Sequence, residues 1–292
     1  MEKFVALAFS GLAQGAIVAL AAIGLLLLYK ASGIINFAHG DLITLGAYLA
    51  LWQINDLGFP IVVGYLGAVV VMFAVGIAME RLAVAPLRGK SLHVVVIATL
   101  GLALAIRSLI ALWQGTGTHR LASPVEGDTT SILGASISHQ RFLIVVVASA
   151  VVLALVWFFG RTSFGRQLRA LAADRDMARL LGVRASLMSM VGFGLSAALA
   201  GVAGVLIAPL GGVEITLGFG IMVNSFAAMV MGGFGSLWGV AIAGLMIGVV
   251  ERLIGGYVLV DYASSLPYVL MLVVIALRPE GLFGRREHAS RF

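Results

Sequence analysis

Four stretches of this chain, residues 60–79, 92–112, 142–159 and 187–208, each run for about 20 residues, and Arg107 is the one Asp, Glu, Lys or Arg among them. At 1.5 Å per residue, a helix of that length covers the roughly 30 Å hydrocarbon core of a bilayer. A segment in lipid must satisfy its own backbone hydrogen bonds, which leaves helices or a closed barrel. No alternating ten-residue pattern supports a barrel. Hydrophobic residues make up 61% and charged residues 11% of the chain, with a mean hydropathy of +1.09, whereas soluble domains carry roughly 25% charged residues. The fold class is therefore all-α and polytopic, with residues 1–292 forming a single transmembrane domain. The absence of cysteine excludes disulfides, thiolate metal sites and cysteine nucleophiles.

Cations gather in alternate connections. Arg81, Arg88 and Lys90 share one; Arg161, Arg166, Arg169, Arg175, Arg179 and Arg184 share another; Arg278, Arg285, Arg286 and Arg291 occupy the tail. Loops rich in Lys and Arg stay in the cytoplasm. The net charge of +6 thus reads as orientation; no aromatic-interleaved basic surface for nucleic acid is present. The first apolar run, 4–28, exceeds a signal-peptide core and lacks a small-residue cleavage site, so it is a retained span with the N-terminus outside and the C-terminus in the cytoplasm. Nine crossings fit this pattern: 4–28, 42–52, 60–79, 92–112, 142–159, 187–208, 217–230, 238–254 and 266–277. A re-entrant element near 33–41 or 217–230 changes the count to eight or ten. Arg107 is expected to reach the outer interface from the end of its span. The longest outer loop, 113–141, carries His119, Glu126, Asp128 and His139 and is expected to fold against the outer face. Small residues at Gly192, Ser196, Ala200 and Gly204, and again at Gly235, Gly239 and Ala243, permit close helix contact. The glycine-rich helix starts near 36 and 232 hint weakly at two related halves.

The most informative cytoplasmic stretch is 160–186. Asp174 suits an N-cap, Asp176 the first turn and Gly182 a left-handed closure, which predicts a helix of about two turns. Such a helix is too short to be stable alone. Met177, Ala178, Leu180 and Leu181 gather on one side and Arg175 and Arg179 on another, as expected of an element that docks onto something. The competing reading is a basic loop that only fixes orientation.

Asn36, His39 and Asp41 enter the membrane together with Gly33 and Gly40, which favours a bent or broken helix facing protein or a cavity. His39 and Asp41, two residues apart, fall on different faces of a helix, so no metal pair is expected. Hydrogen bonding of the break, contact with a translocated substrate, and a proton relay all remain open for these three residues. Glu80-Arg81 and Glu251-Arg252 near span ends read as interfacial pairs. Gly89-Lys90-Ser91 resembles the end of a phosphate loop, but Val84 stands at the first glycine position, Pro86 interrupts, and both flanks are membrane helices. No catalytic set is placed by spacing.

In order, the run from Gly33 to Asp41 with its Asn36-Phe37-Ala38-His39-Gly40 stretch, the run from Glu80 to Arg88, the run from Gly165 to Gly182, Val230 to Ser236, and Arg278 to Gly284 resemble the LivH-type permeases of branched-chain amino acid ABC importers. The resemblance covers almost the whole chain. It implies a bacterial inner-membrane subunit that pairs with a second, LivM-like permease, two cytoplasmic LivG/LivF-like ATPases and a periplasmic binding protein, with membrane lipid around it and 113–141 in the periplasm. It also implies that Ala173, Asp174, Arg175, Met177, Ala178, Arg179, Leu180, Leu181 and Gly182 form a coupling helix seated in an ATPase groove. ATP and Mg would be used by those partners, with no cofactor and no metal on this chain. Relatives of this type also carry urea and short-chain amides. A proton-coupled secondary transporter using His39 and Asp41, or a passive channel, is the alternative from another class.

Overall fold

The computed structural model describes residues 1–125, 129–132, 134–258 and 262–283. Glu126 and Asp128 of the long connection, and Gly284, Arg285, Arg286 and Arg291 of the tail, lie outside the described residues.

The hub is α1 (Glu2–Ser32), a helix apolar on every side and buried along nearly all of its length after Gly11. A helix without a polar face belongs inside a bundle, and α1 is packed by α8 (Ala185–Gly211), α9 (Leu217–Gly232), α10 (Leu237–Tyr257) and α5 (His139–Arg161). Gly33 ends it in the left-handed conformation (φ 74°), its N–H bonding the Tyr29 carbonyl at 2.7 Å. The chain then leaves helical geometry until α2 (His39–Asn55). α3 (Ile61–Met79) starts after Pro60 and continues through a π-helical turn, Glu80–Val84, and a 3-10 turn, Ala85–Leu87. α4 (Leu92–Gln114) packs mainly on α2 and, like α5, leaves most of its apolar surface facing outward. A short hairpin, β1 (Thr129–Ile132) and β2 (Ala135–Ser138), precedes α5; α6 (Ser163–Ala173) and α7 (Arg175–Leu180) follow it. α11 (Leu266–Leu277) rests on α9.

Each of the nine expected segments is a helix. Among the described residues, six helices are long and apolar enough to cross a membrane: α1, α3 with its extension, α4, α5, α8 and α10. α9 and α11 are shorter, at 16 and 12 residues, and α2 has 17.

Small residues decide how closely the helices approach. Gly11 and Gly15 of α1 face Gly244 and Gly248 of α10, so that a methyl group at Gly15 would lie 2.8 Å from the Leu245 backbone. The expected stripe on α8 faces α1 and α2: Gly192 meets Ala31, Ser196 meets His39, and Gly204 meets the Ile43 carbonyl. At the end of the bundle opposite α7, the 113–125 connection lies against other elements. His119 and Val213 exchange backbone hydrogen bonds of 2.9 and 2.7 Å, and the Tyr65 hydroxyl donates to the Ala122 carbonyl at 3.0 Å.

Candidate functional site

A break in a helix within the hydrocarbon leaves donors and acceptors that protein must satisfy. Asn36 does part of this, its Oδ1 accepting from the Ala38 N–H at 3.0 Å in an Asx turn that launches α2. His39 is fully buried between α1 and α8, with Nδ1 3.3 Å from the Ser196 hydroxyl. Thr44 ties α2 to α9: its hydroxyl donates to the Gly40 carbonyl at 3.3 Å and accepts from the Gly218 N–H at 3.0 Å. Gly40 and Gly218 meet backbone to backbone, so α9 begins at the level where α2 begins. Among the described residues, Asn36 Nδ2, His39 Nε2 and the Tyr48 hydroxyl are buried without a hydrogen-bond partner.

Asp41 points the other way, to α4. Its Oδ1 accepts from Arg107 Nε at 2.9 Å, which overturns the expectation that Arg107 reaches for the outer interface. Helix register explains the difference. Trp52 and Trp113 meet with ring centroids 5.8 Å apart, which levels α2 with α4. Asp41 lies 11 residues before Trp52, about 16 Å along the axis, and Arg107 six before Trp113, about 9 Å, so an arginine side chain directed back along its helix spans the rest. The sequence signal was available, since Arg107 and Asp41 are opposite charges within apolar segments and such charges seek each other. Their relative height was not.

Two other pairings also differ from the expected neighbours. Glu80, buried, pairs with Arg88 and not Arg81, and Arg88 donates also to the Ser186 hydroxyl at 3.1 Å. Glu251 accepts from Gln14 Nε2 and Asn224 Nδ2 at 3.1 and 3.2 Å, while Arg252 donates to Gln14 Oε1 at 2.5 Å, so Gln14 stands between the two charges. Among the described residues no three His, Asp or Glu side chains cluster in a way that could hold a metal ion.

The 160–186 segment contains two helices, not one. Thr162 caps α6, accepting from the Gly165 N–H at 3.2 Å, and Phe164, Leu168 and Leu171 line its inner side. Asp174 caps α7 by accepting from the N–H groups of Asp176 and Met177 at 3.0 and 2.9 Å, and Gly182 closes it at φ 86°. Ala173 is exposed. Ala178, grouped by spacing with the outward face, instead packs against Leu171 and Met188. Met177, Leu180 and Leu181 are exposed, the leucines at 82% and 76%. Arg179 makes an exposed 3.4 Å pair with Asp176. Arg175 turns inward: Nη1 donates to the Ser32 carbonyl at 2.7 Å and Nη2 to the Ala31 carbonyl at 3.2 Å, placing a cation at the C-terminus of α1. Burial, and then the Arg179 and Arg88 guanidiniums, push Arg175 below the ordinary arginine value. A cavity of about 570 Å³ opens beside it, lined by Gly33, Arg88, Lys90, Arg175, Arg179 and Arg184.

A helical bundle with an ion pair and a helix break in its interior, and a short capped helix exposing leucines at one end, has the form of a multi-pass membrane transport subunit. Residues 7–275 match the family model described as the branched-chain amino acid transport system / permease component, and the chain belongs to that family. It is 32% identical to the high-affinity branched-chain amino acid transport system permease protein LivH of Salmonella typhimurium, over 96% of this chain and 95% of that one. Identity to LivH of Escherichia coli (strain K12) is 33%, again over 96% and 95%. BraD of Pseudomonas aeruginosa, a permease protein of the same description, is 33% identical over 95% of both chains. No solved structure matches the chain.

Proposed function

We propose that this chain is the membrane permease of an ATP-driven importer that moves branched-chain amino acids across a bacterial inner membrane. The α7 end faces the cytoplasm, together with the C-terminus, and the N-terminus faces the periplasm. Two LivG/LivF-like ATPases, a second LivM-like permease and a periplasmic binding protein complete the machine, with ATP and Mg held by the ATPases. The observation that carries this reading is α7: an apolar tip of Met177, Leu180 and Leu181 held out from the bundle and tied by Arg175 to the end of α1. Full burial of an exposed Leu or Met side chain contributes about 1.5–3 kcal/mol, a favourable term that a partner's groove would realise against the cost of association. Docking alone shifts nothing; the ATPases must bind one permease conformation better than the other.

Reconstitution in liposomes tests it. Leucine uptake should require the ATPases, the binding protein and ATP, and uptake by the permease alone under a pH gradient would establish a secondary transporter instead. Leu181→Asp should release the ATPases on purification while the permease stays folded, because the side chain is exposed here. Retained co-purification would count against α7 as the docking element.

A further inference from the structure

Asp41 and Arg107 meet inside the bundle where stability gives little reason to keep either charge. Removing both ions from water costs several kcal/mol each, and a well-packed apolar pair holds two helices at least as well. α2 and α4 already touch through Trp52 and Trp113. The two side chains are unequally enclosed, Asp41 at 5% and Arg107 at 32% exposure. Among the described residues Nε makes the guanidinium's single hydrogen bond, so both Nη groups stay free as a bidentate fork. Phe219, exposed at the start of α9, lies beside it with its ring centre 5.9 Å from the guanidinium carbon. Charge, fork and aromatic surface come from three helices, α2, α4 and α9, at the level of the helix break.

An amino acid is a zwitterion, and the hydrocarbon penalises both of its charges. An ion pair that opens can accommodate it without ever leaving a charge alone. When empty, carboxylate and guanidinium neutralise each other; when loaded, each takes the substrate group of opposite sign. We propose that Asp41 and Arg107 form the zwitterion-binding subsite of the translocation path, Asp41 receiving the α-ammonium and the Nη fork of Arg107 the α-carboxylate, with the side chain against Phe219. This deepens the amino acid importer reading and rests on it. Guanidinium matches a carboxylate through two parallel N–H bonds, which a lysine could not reproduce. Urea and simple amides carry no charges to exchange with the pair, so they cannot open it.

The chain has no cysteine, and a side chain at Gly220 meets open space one residue from Phe219. Gly220→Cys in the assembled importer therefore gives a thiol whose alkylation on this subunit can be followed by gel shift, without binding protein or nucleotide. L-leucine should slow alkylation roughly threefold at twice its dissociation constant. Leucinamide, lacking the carboxylate, 4-methylpentanoate, lacking the ammonium, and acetamide should leave the rate unchanged at equal concentration. Equal protection by any of the three, or none by leucine, overturns the subsite. Adding Asp41→Asn and Arg107→Gln together, which leaves neither charge unpaired, should abolish protection by leucine; protection that survives overturns the subsite in favour of a structural pair. Uptake in vesicles of the Gly220→Cys importer separates the two layers. ATP-driven leucine uptake without protection sinks the subsite alone, whereas uptake of acetamide or urea in place of leucine sinks the importer reading itself.

Discussion

Replacing Arg175 by alanine removes the two hydrogen bonds that join α7 to α1, to the carbonyls of Ser32 at 2.7 Å and Ala31 at 3.2 Å. A charged donor contributes about 1.5–3 kcal/mol to such a bond, and a cation at a helix C-terminus about 0.3–1 kcal/mol. The site is only half-buried and Arg179 and Arg88 crowd it, so the lower end applies to the short bond and less to the long one, for a total of about 2 kcal/mol. That shifts an equilibrium between a tied and a released α7 by roughly thirtyfold. The assay is leucine uptake per ATP hydrolysed in liposomes holding the complete importer. Met177, Leu180 and Leu181 are untouched, so Arg175→Ala should still co-purify with the ATPases and still hydrolyse ATP, yet import roughly tenfold less per ATP or worse. Arg175→Lys keeps the charge but not the two-armed reach, and should fall between. Arg179→Ala removes the exposed 3.4 Å pair with Asp176 and one like-charge neighbour of Arg175, two small opposing effects, and should match the parent within about 0.5 kcal/mol. Unchanged coupling in Arg175→Ala, or an equal loss in Arg179→Ala, would refute the idea that the tie to α1 carries the movement.

Two further outcomes concern the frame. Gly248→Ala drives a methyl group into the backbone of Gly15 and Gly11, forcing α1 and α10 apart where their glycines meet; the expected cost is about 1–3 kcal/mol despite better helix propensity. Gly101→Ala, which meets open space on α4, should melt no lower than the parent in detergent, so equal melting of the two variants would show the seam to be loose. Asp174→Ala removes both cap bonds of α7 at a cost of about 1 kcal/mol, raising hydrogen exchange at the Asp176 and Met177 amides roughly fivefold, whereas Asp174→Asn keeps most of the cap. Indistinguishable exchange in the alanine variant would mean that packing of Ala178 alone holds the helix.

The apolar segments and α7 were legible because each follows from a local requirement. Crossing a bilayer demands a run of set length, and a short helix needs a cap at Asp174 and a left-handed stop at Gly182. α6 was hidden although Thr162, Phe164, Leu168 and Leu171 mark it, because Arg166 and Arg169 belong to a run of arginines that reads as a basic connection. Ala178 was placed outward because spacing defines faces without saying which one finds a partner. Pairings across helices were out of reach for the same reason. Arg107 reaches Asp41 only through relative heights that packing fixes, and Glu80 takes Arg88 over its neighbour through the π-helical and 3-10 turns that lie between them.

Those heights also give the break between α1 and α2 its meaning. Sequence alone shows glycine and polar residues where a helix must stop; the structure supplies an anchor on either side. Ser32, before the break, is held by Arg175 of α7, and Asp41, nine residues later, by Arg107 of α4. Between them the backbone leaves helical geometry and is held by the Asn36 turn, while His39 and Thr44 fix the start of α2 to α8 and α9. A segment with few backbone hydrogen bonds between two charged anchors is where a bundle of otherwise continuous helices changes shape at least cost. On the proposed function, displacement of α7 would act on its first anchor, and on the proposed subsite, opening of the Asp41–Arg107 pair would act on its second. On the proposed function and the proposed subsite, conformational work and recognition of cargo converge on the ten residues from Ser32 to Asp41.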